Sequence, residues 1–278
     1  MRGTSLKLAV AVGSALACLS QVRAAVLFQD TFDSPNNGDI NADVAFAGRQ
    51  SGSIGTQTYT TAQLFGANPP PVVVYSIAGG KLSGVAAGAS GFGSVVNYNF
   101  GGNGFQVDVD MTPNTNAPDT NYFGAVDIVP TGPQFVNVAS TMVGMAVRTN
   151  GGVQIFSYGT VISSSAEDPG AGNALRQGTP QVRIVISTPD GSNNQSAEFY
   201  VNGTQIGLDN TQSGVNAAGT TLTFAPGSFA NSFVNLETFT SGTGGSVSYD
   251  NLMVSSVPEP AVLSVACLSS LALLRRRR

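Results

Sequence analysis

Between residues 25 and 256, apolar side chains return at every second position, in short runs broken by turn residues. Phe105, Val107, Val109 and Met111 fall on one side of an extended chain, and Gln106, Asp108 and Asp110 on the other. Val182, Ile184 and Ile186 repeat the pattern, as do Ala197, Phe199 and Val201. A period of two is that of a half-buried strand, because successive side chains of a strand point to opposite faces. Asn202-Gly203 separates Phe199–Val201 from Thr204–Ile206 and predicts a hairpin, since both residues accept the positive φ angles of a type I′ turn. Asn150-Gly151, between Met145–Arg148 and Val153–Phe156, predicts another, and Pro189-Asp190-Gly191 a further turn. Other strands are predicted over Val26–Phe32, Val72–Ile77, Ser94–Phe100, Tyr122–Ile128, Thr221–Phe224, Phe233–Phe239 and Ser246–Val254. Ser34–Asp43 and Gln50–Pro71 read as loop-rich, and no helix is expected between the ends. Roughly a dozen strands with polar turns favour two packed antiparallel sheets.

Low charge and abundant glycine would suit disorder, but 42% of the residues are apolar and fall in these regular runs. Both cysteines, Cys18 and Cys267, lie outside the strand-rich middle, so no disulfide and no cysteine-bound zinc is available there. The middle holds five basic and fifteen acidic side chains, a net charge of −10. Such a surface repels phosphate backbones and disfavours nucleic-acid binding.

The two ends differ from the middle. Arg2 and Lys7 precede an apolar run from Leu8 to Leu19, and Val22-Arg23-Ala24 offers small residues to a signal peptidase. Residues 1–24 therefore read as a signal peptide handed to the secretion machinery, with cleavage between Ala24 and Ala25. At the other end, Val257-Pro258-Glu259-Pro260 is followed by the apolar run Ala261–Leu274 and then by Arg275, Arg276, Arg277 and Arg278. As a helix that run would be about 21 Å long, short of a hydrocarbon core of roughly 30 Å, and the arginines would stay cytoplasmic.

This order of motif, apolar stretch and basic cluster resembles the PEP-CTERM sorting signal. The resemblance implies an exosortase, a membrane transpeptidase-like enzyme, as a partner that cleaves near Pro258-Glu259-Pro260. It also implies a protein held only transiently in the membrane before reaching the surface or matrix of a polysaccharide-producing bacterium. The middle is similar to concanavalin A-like or laminin-G-like jelly rolls in Val182–Ser187, Ala197–Val201 and Thr204–Gly207, and in the closing run Val247–Val254. The expected organisation is a signal helix over 1–24, an all-β two-sheet antiparallel jelly-roll sandwich over 25–256, and a sorting tail with its hydrophobic helix over 257–278. The resemblance further implies that Val26–Phe32 meets Ser246–Val254.

The chain has no His and no Trp, which removes Ser-His-Asp catalysis, histidine-bound metals and the usual indole platform for sugars. Asp108 and Asp110 share one strand face about 7 Å apart, a spacing that suits an inverting glycosidase pair. Glucanases resembling this fold carry Glu-x-Asp-x-x-Glu, whereas Asp108-Val109-Asp110-Met111-Thr112-Pro113 lacks both glutamates. The two aspartates are expected on a polar solvent face, and Glu198 and Glu237 as isolated exposed groups. Calcium is the ion the oxygen-rich segments favour, held by Asp39, Asn41 and Asp43 or by Asp250 with Asp30 or Asp33. Against it stands the tendency of Asp and Asn to occupy turns. Tyr75, Tyr98 and Tyr122 are candidate faces for stacking sugars. The expectation is a non-catalytic exported protein of the cell surface or extracellular matrix, with polysaccharide among its ligands. The alternatives are a secreted polysaccharide hydrolase and a purely structural matrix protein.

Overall fold

A computed structural model describes residues 24–33, 39–41, 48–66, 75–84, 90–113, 123–149, 151–164, 178–208, 219–240 and 247–257. The signal-peptide residues before Ala24, the motif residues Pro258, Glu259 and Pro260, and Arg275 to Arg278 lie outside these, as do Asp43 and Tyr122. Residues 25–257 form one compact unit. The described residues contain strands and turns, and none of them forms a helix long and apolar enough to cross a membrane.

The described residues form seventeen strands in two antiparallel sheets. The first sheet runs in the order β14 (Thr204–Gln205), β13 (Gln195–Val201), β12 (Gln181–Ile186), β7 (Phe105–Pro113), β17 (Val247–Ser256), β1 (Val26–Asp30) and β2 (Gln50–Ser51). Three short strands join it from the side: β15 (Thr221–Phe224) on β13, and the hairpin of β4 (Tyr75–Ala78) and β5 (Lys81–Gly84) on β17. The second sheet runs in the order β11 (Thr160–Ser164), β10 (Val153–Ser157), β9 (Val143–Arg148), β8 (Phe123–Val129), β16 (Phe233–Thr240), β6 (Ser90–Val96) and β3 (Tyr59–Phe65).

The period-two residues meet between the sheets. Val107, Val109 and Met111 of β7, Ile184 of β12 and Phe199 of β13 face Val126 and Ile128 of β8 and Val234 and Leu236 of β16 in one buried core. Strand β1 does pair with β17, Phe28 opposite Val254 and Asp30 opposite Leu252. The Asn202-Gly203 hairpin forms with φ of 50° and 77°, as a type I′ turn requires. Strands β9 and β10 pair as a hairpin, although Asn150 of its turn lies outside the described residues. At the third turn Asp190 accepts the backbone N–H groups of Ser192 (2.8 Å) and Asn194 (2.9 Å), which lowers its pKa.

Two expectations shift. The loop-rich reading of Gln50–Pro71 is corrected by β2 and by β3, which forms the edge of the second sheet against β6. The strand foreseen at Ser94–Phe100 begins earlier, at Ser90, and ends at Val96. The Ser90-Gly91-Phe92-Gly93 run looks like a turn because its glycines hide a period-two alternation with Phe92 inward.

Tyr249 of β17 spans the core. Its hydroxyl accepts the N–H of Ala125 (3.0 Å), lies 3.3 Å from Thr238 Oγ1 and donates to the Glu237 carbonyl. Gly124 leaves room for it, since a Cβ there would stand 2.6 Å from the hydroxyl. Removing a buried partner costs the desolvation of the group left behind, about 1–3 kcal/mol. Tyr249→Phe is therefore expected to lower unfolding stability by ~2 kcal/mol, read from the urea midpoint at unchanged slope.

Candidate functional site

The outer face of the seven-stranded sheet carries the groups with chemistry. In β16 the inward residues are Val234, Leu236 and Thr238, so Phe233, Asn235, Glu237 and Phe239 face outward. The same alternation in β8 turns Phe123, Ala125 and Asp127 outward. Register places Asp127 beside Asn235, and Phe123 beside Phe239.

At one end of this face the aromatic rings form a platform. Phe239 stacks on Phe123 (5.9 Å between centroids, 28° between planes) and meets Phe65 at 6.0 Å. Phe65 is 56% exposed, an unusual position for a large apolar ring. With Leu64, Phe135, Asn137 and Arg148 these rings line a groove of about 440 Å³. The Arg148 guanidinium is oriented by Gln154 Oε1, which accepts from its Nε at 3.1 Å and its Nη2 at 2.5 Å.

Beyond the platform lies a buried polar cluster. Asn235 Nδ2 donates to both oxygens of Asp127 at 3.1 Å, and Glu237 Oε2 accepts the Val136 N–H at 2.6 Å. Asp127, Asn235 and Glu237 are each fully buried, because residues 130–141 cross over them. Three glycines make that crossing close. A Cβ at Gly91 would stand 2.6 Å from Phe135, one at Gly93 2.8 Å from Pro133, and one at Gly144 would overlap Val136. Burial raises the pKa of both carboxyls well above the ordinary range, and for Glu237 the neighbouring Asp127 adds to the rise.

Glu237 thus corrects the expectation of an isolated exposed glutamate: a crossing segment covers it. Asp108 is also buried rather than on a solvent face. Arg183, directly opposite on β12, donates to its Oδ1 at 2.6 Å and Gln106 donates to its Oδ2 at 2.5 Å. Asp110 accepts from Asn251 Nδ2 at 2.9 Å. Glu198 is half-buried and accepts the Tyr200 hydroxyl at 2.6 Å. Of the tyrosines, Tyr75 belongs to the core, its hydroxyl donating toward the Phe92 and Leu236 carbonyls, while Tyr98 is exposed beside Phe100 at 4.9 Å.

The oxygen groups foreseen for calcium are largely engaged by donors. Asp30 is fully buried and accepts from Arg49, Gln50 Nε2 (2.8 Å), the Tyr59 hydroxyl (2.8 Å) and the Phe32 N–H (3.0 Å). A guanidinium therefore stands where a cation would. Asp39 accepts the Asn41 N–H at 2.7 Å, and the Asn41 amide bonds the Tyr59 backbone in both directions. Asp250 is half-buried and lies within electrostatic reach of Asp33 and Asp110. Desolvation first, and those two carboxylates after it, raise its pKa. Among the described residues no three acidic side chains converge closely enough to hold a metal ion. At the chain ends, Ala25 donates its N–H to Ser256 Oγ (3.0 Å) and Val257 donates to the Gly104 carbonyl (3.1 Å).

No family model matches the chain, and no curated protein matches it. Solved structures do. An endo-1,3-β-glucanase from Streptomyces sioyaensis aligns with a TM-score of 0.51 at 13% identity, over 85% of this chain and 97% of that one. A lectin from Bauhinia forficata in complex with GalNAc aligns at 0.45 and 10% identity, over 72% and 92%. The exoplasmic/lumenal domain of VIP36 in its Ca2+/Man-bound form aligns at 0.45 and 6% identity, over 73% and 85%. The chain has the concanavalin A-like jelly-roll sandwich fold.

The acid pair sets a pH dependence. A carboxyl that keeps its proton in the fold, above the pH at which the unfolded chain loses it, makes unfolding release a proton. The contribution of the pair is then complete below about pH 4 and declines as pH rises toward the folded pKa, by about 1.4 kcal/mol per pH unit for one retained proton. Glu237→Gln keeps the acceptor for Val136 and removes the ionisation. Urea unfolding across the range from about pH 4 to about pH 8 is expected to show the slope in the wild type and a flatter curve in the variant.

Proposed function

We propose that this chain is a non-catalytic polysaccharide-binding protein of the cell surface or extracellular matrix. On this reading it is exported through its N-terminal signal and processed by an exosortase-type enzyme through its C-terminal tail. The observation that carries the binding assignment is the Phe65–Phe239–Phe123 platform, edged by Asn137 and Arg148. Aromatic faces pack against the apolar faces of sugar rings, and amide and guanidinium donors suit the hydroxyls around them. The fold agrees with this use, as the glucanase neighbour is named for a 1,3-β-glucan substrate and lectin neighbours for carbohydrate ligands.

Binding without turnover is favoured because the available carboxyls are committed elsewhere. Asp108 is held by Arg183, Asp110 by Asn251, and Asp127 and Glu237 lie beneath the crossing segment. Incubation with a soluble β-1,3-glucan is expected to give a complex and no new reducing ends. Phe239→Ala is expected to weaken that complex about tenfold, which is ~1.4 kcal/mol, as measured by calorimetry or affinity electrophoresis. Release of reducing sugar would instead assign the protein to the hydrolases, and no binding to any glycan would leave a structural matrix role.

Calcium, on this reading, falls to Asp250 with Asp33, two carboxylates within electrostatic reach of each other. The expected outcome is a melting temperature that rises with added calcium in the wild type and not in Asp250→Asn. Equal melting with calcium and with chelator removes the ion from the account.

A further inference from the structure

Residues Pro130–Thr141 leave the end of β8, cross the outer face of the seven-stranded sheet and return to β9. The aromatic groove lies on one side of this strap and borrows Phe135 and Asn137 from it. A second hollow of equal size, about 440 Å³, lies on the other side and borrows Pro130, Thr131 and Gly132. Its remaining walls include Thr60, Asn97 and Asn231, which offer hydroxyl and amide groups, and the ring of Phe233. The two hollows share one sheet face and are parted by the strap.

We propose that the two hollows are halves of a single cleft for an extended polysaccharide chain, and that the strap is a removable bridge latched to the cleft floor by Asp127, Asn235 and Glu237. The nature of the ligand rests on the glycan-binding reading above; the latch does not.

Three observations carry the latch. The strap is tied to the floor through polar groups of that trio, the Val136 N–H to Glu237 Oε2 at 2.6 Å and Asn235 Nδ2 to the Gln134 carbonyl at 2.9 Å. Among the described residues its other contacts are packing ones, Phe135, Val136 and Pro133 over the floor glycines and the Asn137–Ala139 backbone against Gly159. Glu237 Oε1 and Asn235 Oδ1 are buried without a hydrogen-bond partner, and both could accept from a sugar hydroxyl once uncovered.

The strap has no titratable side chain, so its closure depends on the floor. Strand β8 contributes Asp127 and β16 contributes Glu237. Strands β6 and β9 present Gly91, Gly93 and Gly144 there, and from the core side the hydroxyls of Tyr75 (β4) and Tyr249 (β17) face the same strands. Both tyrosines are pushed upward by burial and stay neutral while the carboxyls titrate. With both carboxyls protonated the floor is neutral and the strap is closed. With both ionised, two adjacent negative charges share only an amide and one backbone N–H, and water must reach them. Lifting the strap admits that water, disrupts no strand, and joins the two hollows.

Hydrogen–deuterium exchange on the full-length protein tests this at about pH 5 and about pH 9, with rates corrected for intrinsic exchange. Protection of the 130–141 segment is expected to fall at least about tenfold at the higher pH, while β8 and β16 remain protected. Glu237→Gln and Asp127→Asn are each expected to keep the segment protected at both pH values. In parallel, a long β-1,3-glucan chain is expected to gain affinity over a short oligosaccharide at the higher pH in the wild type alone. Protection that does not change with pH, or falls equally in both variants, overturns the latch. Glucan binding that needs Phe239 but ignores pH and chain length overturns the single cleft and leaves the glycan reading standing. PH-dependent opening with no glycan bound at either pH supports the latch and overturns that reading together with the cleft's ligand.

Discussion

The hydroxyl of Tyr249 joins the two sheets at the place where the outer face is built. Its ring comes from β17, which lies between β7 and β1 in the first sheet, and its oxygen reaches β8 and β16 of the second. Asp127 and Glu237 belong to those two strands and face the other way. The position of the carboxyls is therefore set from behind, through the bonds of this buried hydroxyl. Tyr75 does the same for β6 and β16, through the Phe92 and Leu236 carbonyls. Two buried phenols thus fix the middle of the second sheet to the first.

That outer face combines two unlike surfaces. One is an exposed run of phenyl rings, where burial against a ligand offers apolar area and ring packing. The other is a pair of carboxyls whose burial would be costly in ionised form and is tolerated because a strap, an amide and a backbone donor surround them. The buried ion pair of Asp30 with Arg49 answers the same problem differently, by placing a cation inside. Hence Asp30 and Asp108 are each paired with a guanidinium, while burial favours the protonated forms of Asp127 and Glu237.

Much of the fold was legible because strand period and turn chemistry agree. The Phe105–Met111 alternation and Asn202-Gly203 needed no tertiary information, and the pairing of β1 with β17 followed from the jelly-roll resemblance. Strand β3 was missed because Tyr59–Phe65 contains two threonines, an alanine and a glutamine, and reads as polar although it pairs along the edge of a sheet. The candidate site was largely hidden. Glu237 looks isolated along the chain, and only the pairing of β16 with β8 brings Asp127 next to it. A trace did exist: Phe233, Asn235, Glu237 and Phe239 alternate with Val234, Leu236 and Thr238, and Gly91 and Gly93 alternate with Phe92 and Ser94. Glycine at every second strand position marks a face that another segment approaches closely, here the side chains of Phe135 and Pro133.

The pairing of Ala25 with Ser256 has a mechanical meaning. Strand β17 lies between β1 and β7, and its last residues are bonded on both sides, to Ala25 and to Gly104. Antiparallel hydrogen bonds run across the strand direction. A pull on residue 257 in line with the strand therefore loads two ladders in shear, so many bonds must yield together rather than one after another. A domain towed by this end would resist drag through an interior strand, with its seven-stranded sheet outside the line of force.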